Sequence, residues 1–151
     1  MEKELKKTPL FNYYKEKNVK LMDFGGWALP VQFSGIADEH KSVRTYAGLF
    51  DVSHMGEILV KGKDAGVFLN YLLTNDVSKI KIGQAQYNAI VNEHGGTIDD
   101  LIIFKLDEEG YLVTPNASNS DKVFQWMEKH LTGDVVLENR SEDIGLLALQ
   151  G

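Results

Sequence analysis

Two adjacent carboxylates, Asp99 and Asp100, stand between a glycine pair and an apolar run in Gly95-Gly96-Thr97-Ile98-Asp99-Asp100-Leu101-Ile102-Ile103-Phe104. The glycines read as a tight turn, and Leu101 to Phe104 read as a strand buried on both faces. Side chains alternate across a strand, so the two carboxylates point to opposite faces. They therefore cannot form a paired-carboxylate site of the glycosidase or aspartic-protease kind. The one turned inward meets apolar neighbours and needs a hydrogen-bonding partner, a polar ligand or a raised pKa, which marks it as the candidate functional carboxylate. In the alternative reading, one Asp closes the turn and the other sits in solvent. Spacing alone leaves both readings open.

A second polar cluster, Asp51-Val52-Ser53-His54-Met55-Gly56, puts Asp, Ser and His within four residues. A nucleophilic triad is rejected here, because triad members come from separated segments and the serine needs an elbow or oxyanion turn. A hydrogen-bonded turn entering a strand explains these residues better, with His54 and Met55 packed. His40, His54, His94 and His130 have no metal-site spacing, so no metal is expected.

The elements that position these residues follow from pattern. Thr8-Pro9-Leu10 predicts an N-cap and first turn of a helix through about Lys17, with Asn18 as its stop. Val19 to Phe24 reads as a strand, broken by Gly25-Gly26-Trp27-Ala28-Leu29-Pro30 and resumed at Val31-Gln32-Phe33. The glycine pair serves as an edge kink in preference to a close approach to something flat. Ile36, His40, Val43 and Arg44 give helical spacing up to about Thr45, with Gly48 as a stop. Glu57 to Val60 is a strand, and Asp64 caps a helix whose stripe Val67, Phe68, Tyr71 and Leu72 is core. In the strand Gln84 to Asn92, Ala85, Tyr87, Ala89 and Val91 share one face, which puts Tyr87 on the buried side. Two hairpins join this strand, the Asp99-Asp100 strand and Tyr111 to Thr114 into an antiparallel meander. Asn119 or Ser120 caps a helix carrying Val123, Phe124, Met127 and Leu131, stopped by Gly133, and Val135 to Leu137 and Ile144 to Leu149 are strands. The fold class is α+β with antiparallel sheets flanked by helices. A sheet ending on Leu147-Ala148-Leu149-Gln150-Gly151 expects further chain or a partner.

Composition sets the outer limits. The 151 residues are 43% apolar and 25% charged, ordinary values for a globular chain large enough to bury a core. With 16 basic and 22 acidic residues the net charge is −6, which argues against nucleic acid as the partner. No run is long enough for a membrane helix, and Met1-Glu2-Lys3-Glu4-Leu5-Lys6-Lys7 lacks the apolar stretch of a signal peptide, so a cytoplasmic location is expected. The absence of cysteine excludes disulfides and thiolate chemistry.

Several stretches together carry a resemblance: Thr8-Pro9-Leu10, Asp23 to Pro30, Val43-Arg44-Thr45, Gly48 to Gly56, Leu73-Thr74-Asn75-Asp76, Gly95 to Ile102 and Ala148-Leu149-Gln150-Gly151. In order and type they resemble the aminomethyltransferase, or T-protein, family of the glycine cleavage system, across the whole chain. The resemblance implies transfer of a one-carbon unit from the aminomethyl-lipoyl H-protein to tetrahydrofolate, with release of ammonia. It implies that Asp100 is the catalytic carboxylate beside the bridging nitrogens of folate, that Tyr87 packs on the pterin, and that Met55, Thr74, Ile102 and Asn116 lie near the folate. Asp100 is thereby matched to the inward carboxylate; Asp100 facing water with Asp99 turned inward would sink the proposal of a carboxylate held at an apolar folate slot, however good the family match. The resemblance further implies residues 1–51 with 139–151 as part of one subdomain of a folate-binding domain and 52–138 as a second, in a protein more than twice this length. The family's pterin-gripping acid, folate-site arginines and C-terminal barrel have no counterpart here, so the missing half is expected in cis or in trans. Two other readings stay open. One is a catalytically incomplete folate-binding or interaction fragment, and the other is the folate module of a dimethylglycine or sarcosine oxidase relative.

Overall fold

The structure is a computed structural model and describes residues 4–151, so Met1 to Lys3 of the charged N-terminal run lie outside the described residues. The chain divides into two compact units, one of residues up to His54 with Gly145–Gly151, the other Met55–Ile144.

The second unit is built on a five-stranded sheet in the order β6-β7-β8-β5-β9, formed by Ala85–Val91, Thr97–Lys105, Gly110–Pro115, Ile58–Lys61 and Val136–Asn139. Every neighbouring pair is antiparallel, and the first three strands are the expected meander. Helices α3 (Ala65–Leu72) and α4 (Ser120–Lys129) supply Phe68, Leu69, Val123 and Met127 to one core with Ile58, Val60, Ile90, Leu101, Ile103 and Val113. Burial of this apolar surface is what holds the unit together.

The helix α3 stripe is a correction. Ala65, Phe68, Leu69 and Leu72 are buried, whereas Val67 and Tyr71 are 73% and 72% exposed. Apolar residues lie nearly all round this short helix, so two stripes fit helical spacing and packing selects between them. Asp64 does stand at the helix start, but its carboxylate accepts from the backbone N–H of Asp134 at 2.8 Å in place of capping the helix. Leu131 lies beyond α4 and is exposed.

The first unit holds a three-stranded sheet, β1-β3-β2, from Lys6–Lys7, Trp27–Pro30 and Leu21–Phe24, and a two-stranded sheet pairing β4 (Gly48–Asp51) with β10 (Leu147–Gln150). Trp27 to Pro30, read as a break, is therefore a strand. Gly25 and Gly26 have φ of 60° and 91°, the left-handed values a two-residue hairpin turn requires, and they return the chain antiparallel along β2. Val31 to Phe33 do not resume a strand. Helix α1 spans Phe11–Glu16, with Asn18 at φ 52° just past its end as anticipated, and Thr8 is no side-chain cap because its hydroxyl donates to Asp51 at 2.7 Å. Helix α2 covers Ile36–Thr45 as the spacing predicts, while Gly48 opens β4 instead of stopping the helix.

Candidate functional site

Strand β7 carries both carboxylates, and its neighbours decide which one is buried. Asp99 stands opposite Ile90, in phase with Leu101 and Ile103, and is 4% exposed. Asp100 stands opposite Ala89, in phase with Ile102, and is exposed. The expectation that Asp100 is the inward carboxylate is thus reversed, and the argument for it from desolvation falls. Leu101 to Phe104 are likewise not buried on both faces, since Ile102 is 40% exposed.

Asp99 has a structural solution to its burial. Its carboxylate accepts from the backbone N–H of Asn116 at 2.8 Å, the Asn116 side-chain amide at 2.9 Å and the Asn119 side-chain amide at 2.7 Å. Three donors satisfy the charge and tie β7 to the end of β8 and the 3₁₀ turn Ala117–Asn119 before α4. Asn119 therefore spends its side chain on Asp99 and makes no cap bond to α4.

The opposite face of the sheet gathers most of the residues singled out from sequence. Tyr87 is 62% exposed, so its placement on the buried side is also corrected. The buried set of β6 is instead the polar-looking one: Ile90 and Asn88, whose side-chain oxygen accepts from the N–H of Asn75 at 2.9 Å. A buried asparagine is tolerated because a backbone donor meets it. On the open face the Tyr87 hydroxyl donates to Asp100 Oδ2 at 2.9 Å, and Asn116 Nδ2 donates to the Asp100 carbonyl at 3.0 Å and to its Oδ1 at 3.3 Å. The Asp100 carboxylate accepting this bond holds the Tyr87 phenol above its usual pKa. Ile102 sits directly opposite Tyr87, with Phe104 and Leu112 following at half-buried positions. Thr74 closes the β6 edge, where its hydroxyl accepts from the N–H of Ala89 at 3.1 Å. Met55 is half-buried and takes no part in these hydrogen bonds.

The Asp51 cluster of the first unit behaves as a turn. Asp51 accepts from the hydroxyls of Thr8 and Tyr14, both at 2.7 Å, and from the N–H of Ser53 at 3.0 Å. Burial pushes this carboxyl up, but the bonds from Ser53, Tyr14 and Thr8 outweigh it and hold the pKa below the ordinary value. Ser53 Oγ donates to the carbonyl of Leu146 at 3.2 Å, and His54 meets Phe24 edge to face at 5.5 Å. Ser53 is therefore not presented to His54 as a nucleophile.

An antiparallel sheet with helices on one face and a tyrosine–carboxylate pair on the other defines an α+β domain. Residues 10–151 match the family described as GCVT N-terminal domain, and the chain belongs to that family. It is 59% identical over 148 residues to an aminomethyltransferase of Listeria monocytogenes serotype 4b, covering 98% of this chain and 41% of that protein. It is 57% identical over 147 residues to the aminomethyltransferase of Bacillus subtilis strain 168, covering 97% and 41% respectively. The crystal structure of glycine cleavage system aminomethyltransferase T from Bartonella henselae superposes with a TM-score of 0.88 at 37% identity, over 97% of this chain and 41% of that one. The chain thus spans about two-fifths of the length of these relatives.

Proposed function

We propose that this chain forms the folate-facing part of a tetrahydrofolate-dependent aminomethyltransferase of the glycine cleavage system. The reaction is transfer of the one-carbon unit from the aminomethyl-lipoyl H-protein to tetrahydrofolate with release of ammonia. The observation that carries the reading is the Tyr87 to Asp100 hydrogen bond on an accessible sheet face beside Ile102, within a chain of this family.

The residues present fit a flat, nitrogen-rich ligand. Tyr87 offers the side of an exposed ring, Ile102 an apolar contact beside it, and Asp100 an accessible carboxylate that accepts hydrogen bonds. Tetrahydrofolate, when bound, supplies the amines that take up the one-carbon unit. Asp100 is the catalytic residue in this reading, accepting a hydrogen bond from a ring nitrogen and holding a proton there. Tyr87 and Asn116 restrain its two oxygens, so the carboxylate meets the ligand in one orientation. Thr74 fixes the β6 edge that carries Tyr87, and Met55 completes the apolar surround. This replaces the buried carboxylate of the sequence argument with an accessible one that a ligand desolvates on binding.

The reading includes the lipoylated H-protein as partner, the remaining three-fifths of the relatives' length in cis or in trans, no nucleic acid or membrane, and a cytoplasmic setting. Among the described residues, no helix is long and apolar enough to cross a membrane. A second reading, folate binding without turnover by these 151 residues alone, is favoured by their spanning 41% of the relatives.

The test compares this chain, and a longer protein containing it, with and without Asp100→Asn, for tetrahydrofolate binding and for ammonia release from aminomethylated H-protein. Turnover by the longer protein should fall at least about 100-fold, roughly 3 kcal/mol of transition-state stabilisation. Wild-type turnover by the Asp100→Asn protein would overturn the assignment. Turnover by the 151 residues alone would overturn the second reading.

A further inference from the structure

Outside the hydrogen bonds just described, the same sheet holds a carboxylate without a partner. Glu57 is 0% exposed, and both of its carboxylate oxygens, like the nearby Thr114 hydroxyl, are buried without a hydrogen-bond partner. The ladder puts these two side by side. Ile58 pairs with Val113, and the Gly56 N–H donates to the Pro115 carbonyl at 3.0 Å, so Glu57 falls opposite Thr114. Thr114 in turn faces Ile102, and Ile102 faces Tyr87. One rung therefore runs Tyr87, Ile102, Thr114, Glu57 across four strands, with Glu57 about 10 Å from the β7 backbone at ordinary strand spacing.

A buried carboxylate normally has a basic partner. The residue opposite it on the β9 side is Arg140, whose Nε is likewise buried without a hydrogen bond. Arg140 gives its backbone N–H to the Glu57 carbonyl at 2.8 Å, but its guanidinium lies 2.9 Å from Asp143 and 3.4 Å from Glu138. Lys61, at the other end of β5, lies 3.8 Å from Glu138. Left without a donor, the Glu57 carboxyl is pushed up by burial to about 7.

Three acceptor atoms on two facing side chains match the donors of a protonated primary amine. We propose that Glu57 and Thr114 form a subsite for a protonated amine, the group an aminomethyl donor or its released nitrogen presents, at the far end of the rung that bears Tyr87 and Ile102. The choice of amine rests on the aminomethyltransferase reading above. No bond to carbon forms or breaks at this subsite. A neutral amine arriving at protonated Glu57 takes its proton and leaves an ammonium–carboxylate pair, so no further reactant is needed.

The probe is ammonium chloride, added to the 151-residue chain labelled with ¹³C at its glutamate carboxyls, with tetramethylammonium chloride at equal ionic strength as the control lacking N–H donors. The Glu57 resonance should move saturably with ammonium and stay still with tetramethylammonium. Followed at the Thr114 amide, Glu57→Gln should weaken the response at least about tenfold, and Thr114→Val about threefold to tenfold. Glu57→Gln relieves a buried charge and so keeps the fold; Thr114→Val preserves the side-chain shape and tests the subsite independently. No saturable shift, an equal shift with tetramethylammonium, or an unchanged response in both variants would overturn the proposal. Tetrahydrofolate binding is measured on the same sample. Folate binding without an ammonium response rejects the subsite alone, and an ammonium response without folate binding supports the subsite while rejecting folate binding by these 151 residues alone.

Discussion

The two units solve burial by opposite means. The unit of Met55–Ile144 has a contiguous apolar core in which Ile58, Val60, Ile90, Ile103, Val113 and Val123 are completely buried. The other unit buries few apolar side chains, chiefly Tyr14, Ala28 and Leu29, and gathers Thr8, Tyr14 and Ser53 around the Asp51 carboxylate. Its helix α2 has no buried residue, and Tyr46 and Leu149 are 81% and 72% exposed. An apolar core is non-directional and tolerant of small shifts, whereas a polar hub depends on each donor and its geometry. The Tyr87–Asp100 pair of the proposed site stands on the sheet of the unit with the contiguous apolar core.

The largest break in this contrast is expected where the core unit itself relies on a carboxylate. Asp99→Ala strands the Asn116 N–H and the side-chain amides of Asn116 and Asn119, and should cost about 3 kcal/mol in urea unfolding of the Met55–Ile144 unit. A loss below about 1 kcal/mol would mean the polar tie is dispensable there. Asp51→Ala should cost about 2 kcal/mol, with hydrogen-exchange protection lost at Tyr14 and Ser53 and retained at Ile58 and Ile103. Loss of protection at Ile58 and Ile103 as well would refute this expectation.

The pH response sharpens the contrast further, because one carboxyl of each unit, Asp51 and Glu57, is shifted in the opposite direction. Asp51 has a depressed folded pKa, so its contribution is present above the ordinary carboxylate range and is lost as pH falls through the lower folded value. Glu57 has its folded pKa raised to about 7, so its protonated form favours folding: the contribution is full below the unfolded pKa, near 4.3, and is lost as pH rises through about 7. Lowering the pH from about 7 to about 5 should therefore strengthen protection at Ile58 and weaken it at Tyr14, because burial lowers the His54 pKa and protonating that imidazole opposes folding of the same unit. Below about pH 4, Tyr14 should open first. Glu57→Gln should abolish the gain at Ile58, and a gain that persists would assign it to another group.

The sequence made the strands legible and left their facing ambiguous, for an identifiable reason. The meander, helices α2 and α4 and the hairpin glycines follow from periodicity and turn chemistry that act locally. Which face of β7 is buried does not, because Ile98, Ile102 and Phe104 are as apolar as Leu101 and Ile103 on the other parity. In β6 the apolar set containing Tyr87 points outward and the set containing Asn88 points inward, so the usual pattern is inverted. Only the donors on Asn75, Asn116 and Asn119, placed by distant parts of the chain, make the buried polar positions affordable. Three of the candidate residues, Tyr87, Asp100 and Asn116, are joined by hydrogen bonds, and Ile102 stands beside them. Their grouping was legible through family resemblance, while the match of Asp100 to the inward carboxylate is reversed, since Asp99 is buried and Asp100 exposed.

The smallest expected effect tests whether the Tyr87 face belongs to the framework or to a ligand. Tyr87→Phe removes one hydroxyl that donates to Asp100 at 2.9 Å and leaves the ring in place. Both groups are exposed, so water replaces the lost bond, and the urea-unfolding midpoint should not move measurably. Asp99→Ala, one residue from Asp100 on the same strand, is expected to cost several times more, so the pair of variants divides β7 into a structural face and a free one. Should Tyr87→Phe instead destabilise the unit about as much as Asp99→Ala, the hydroxyl would be part of the scaffold. The open face would then lose its claim to be held ready for a ligand, because its most accessible polar pair would already be committed to holding the sheet.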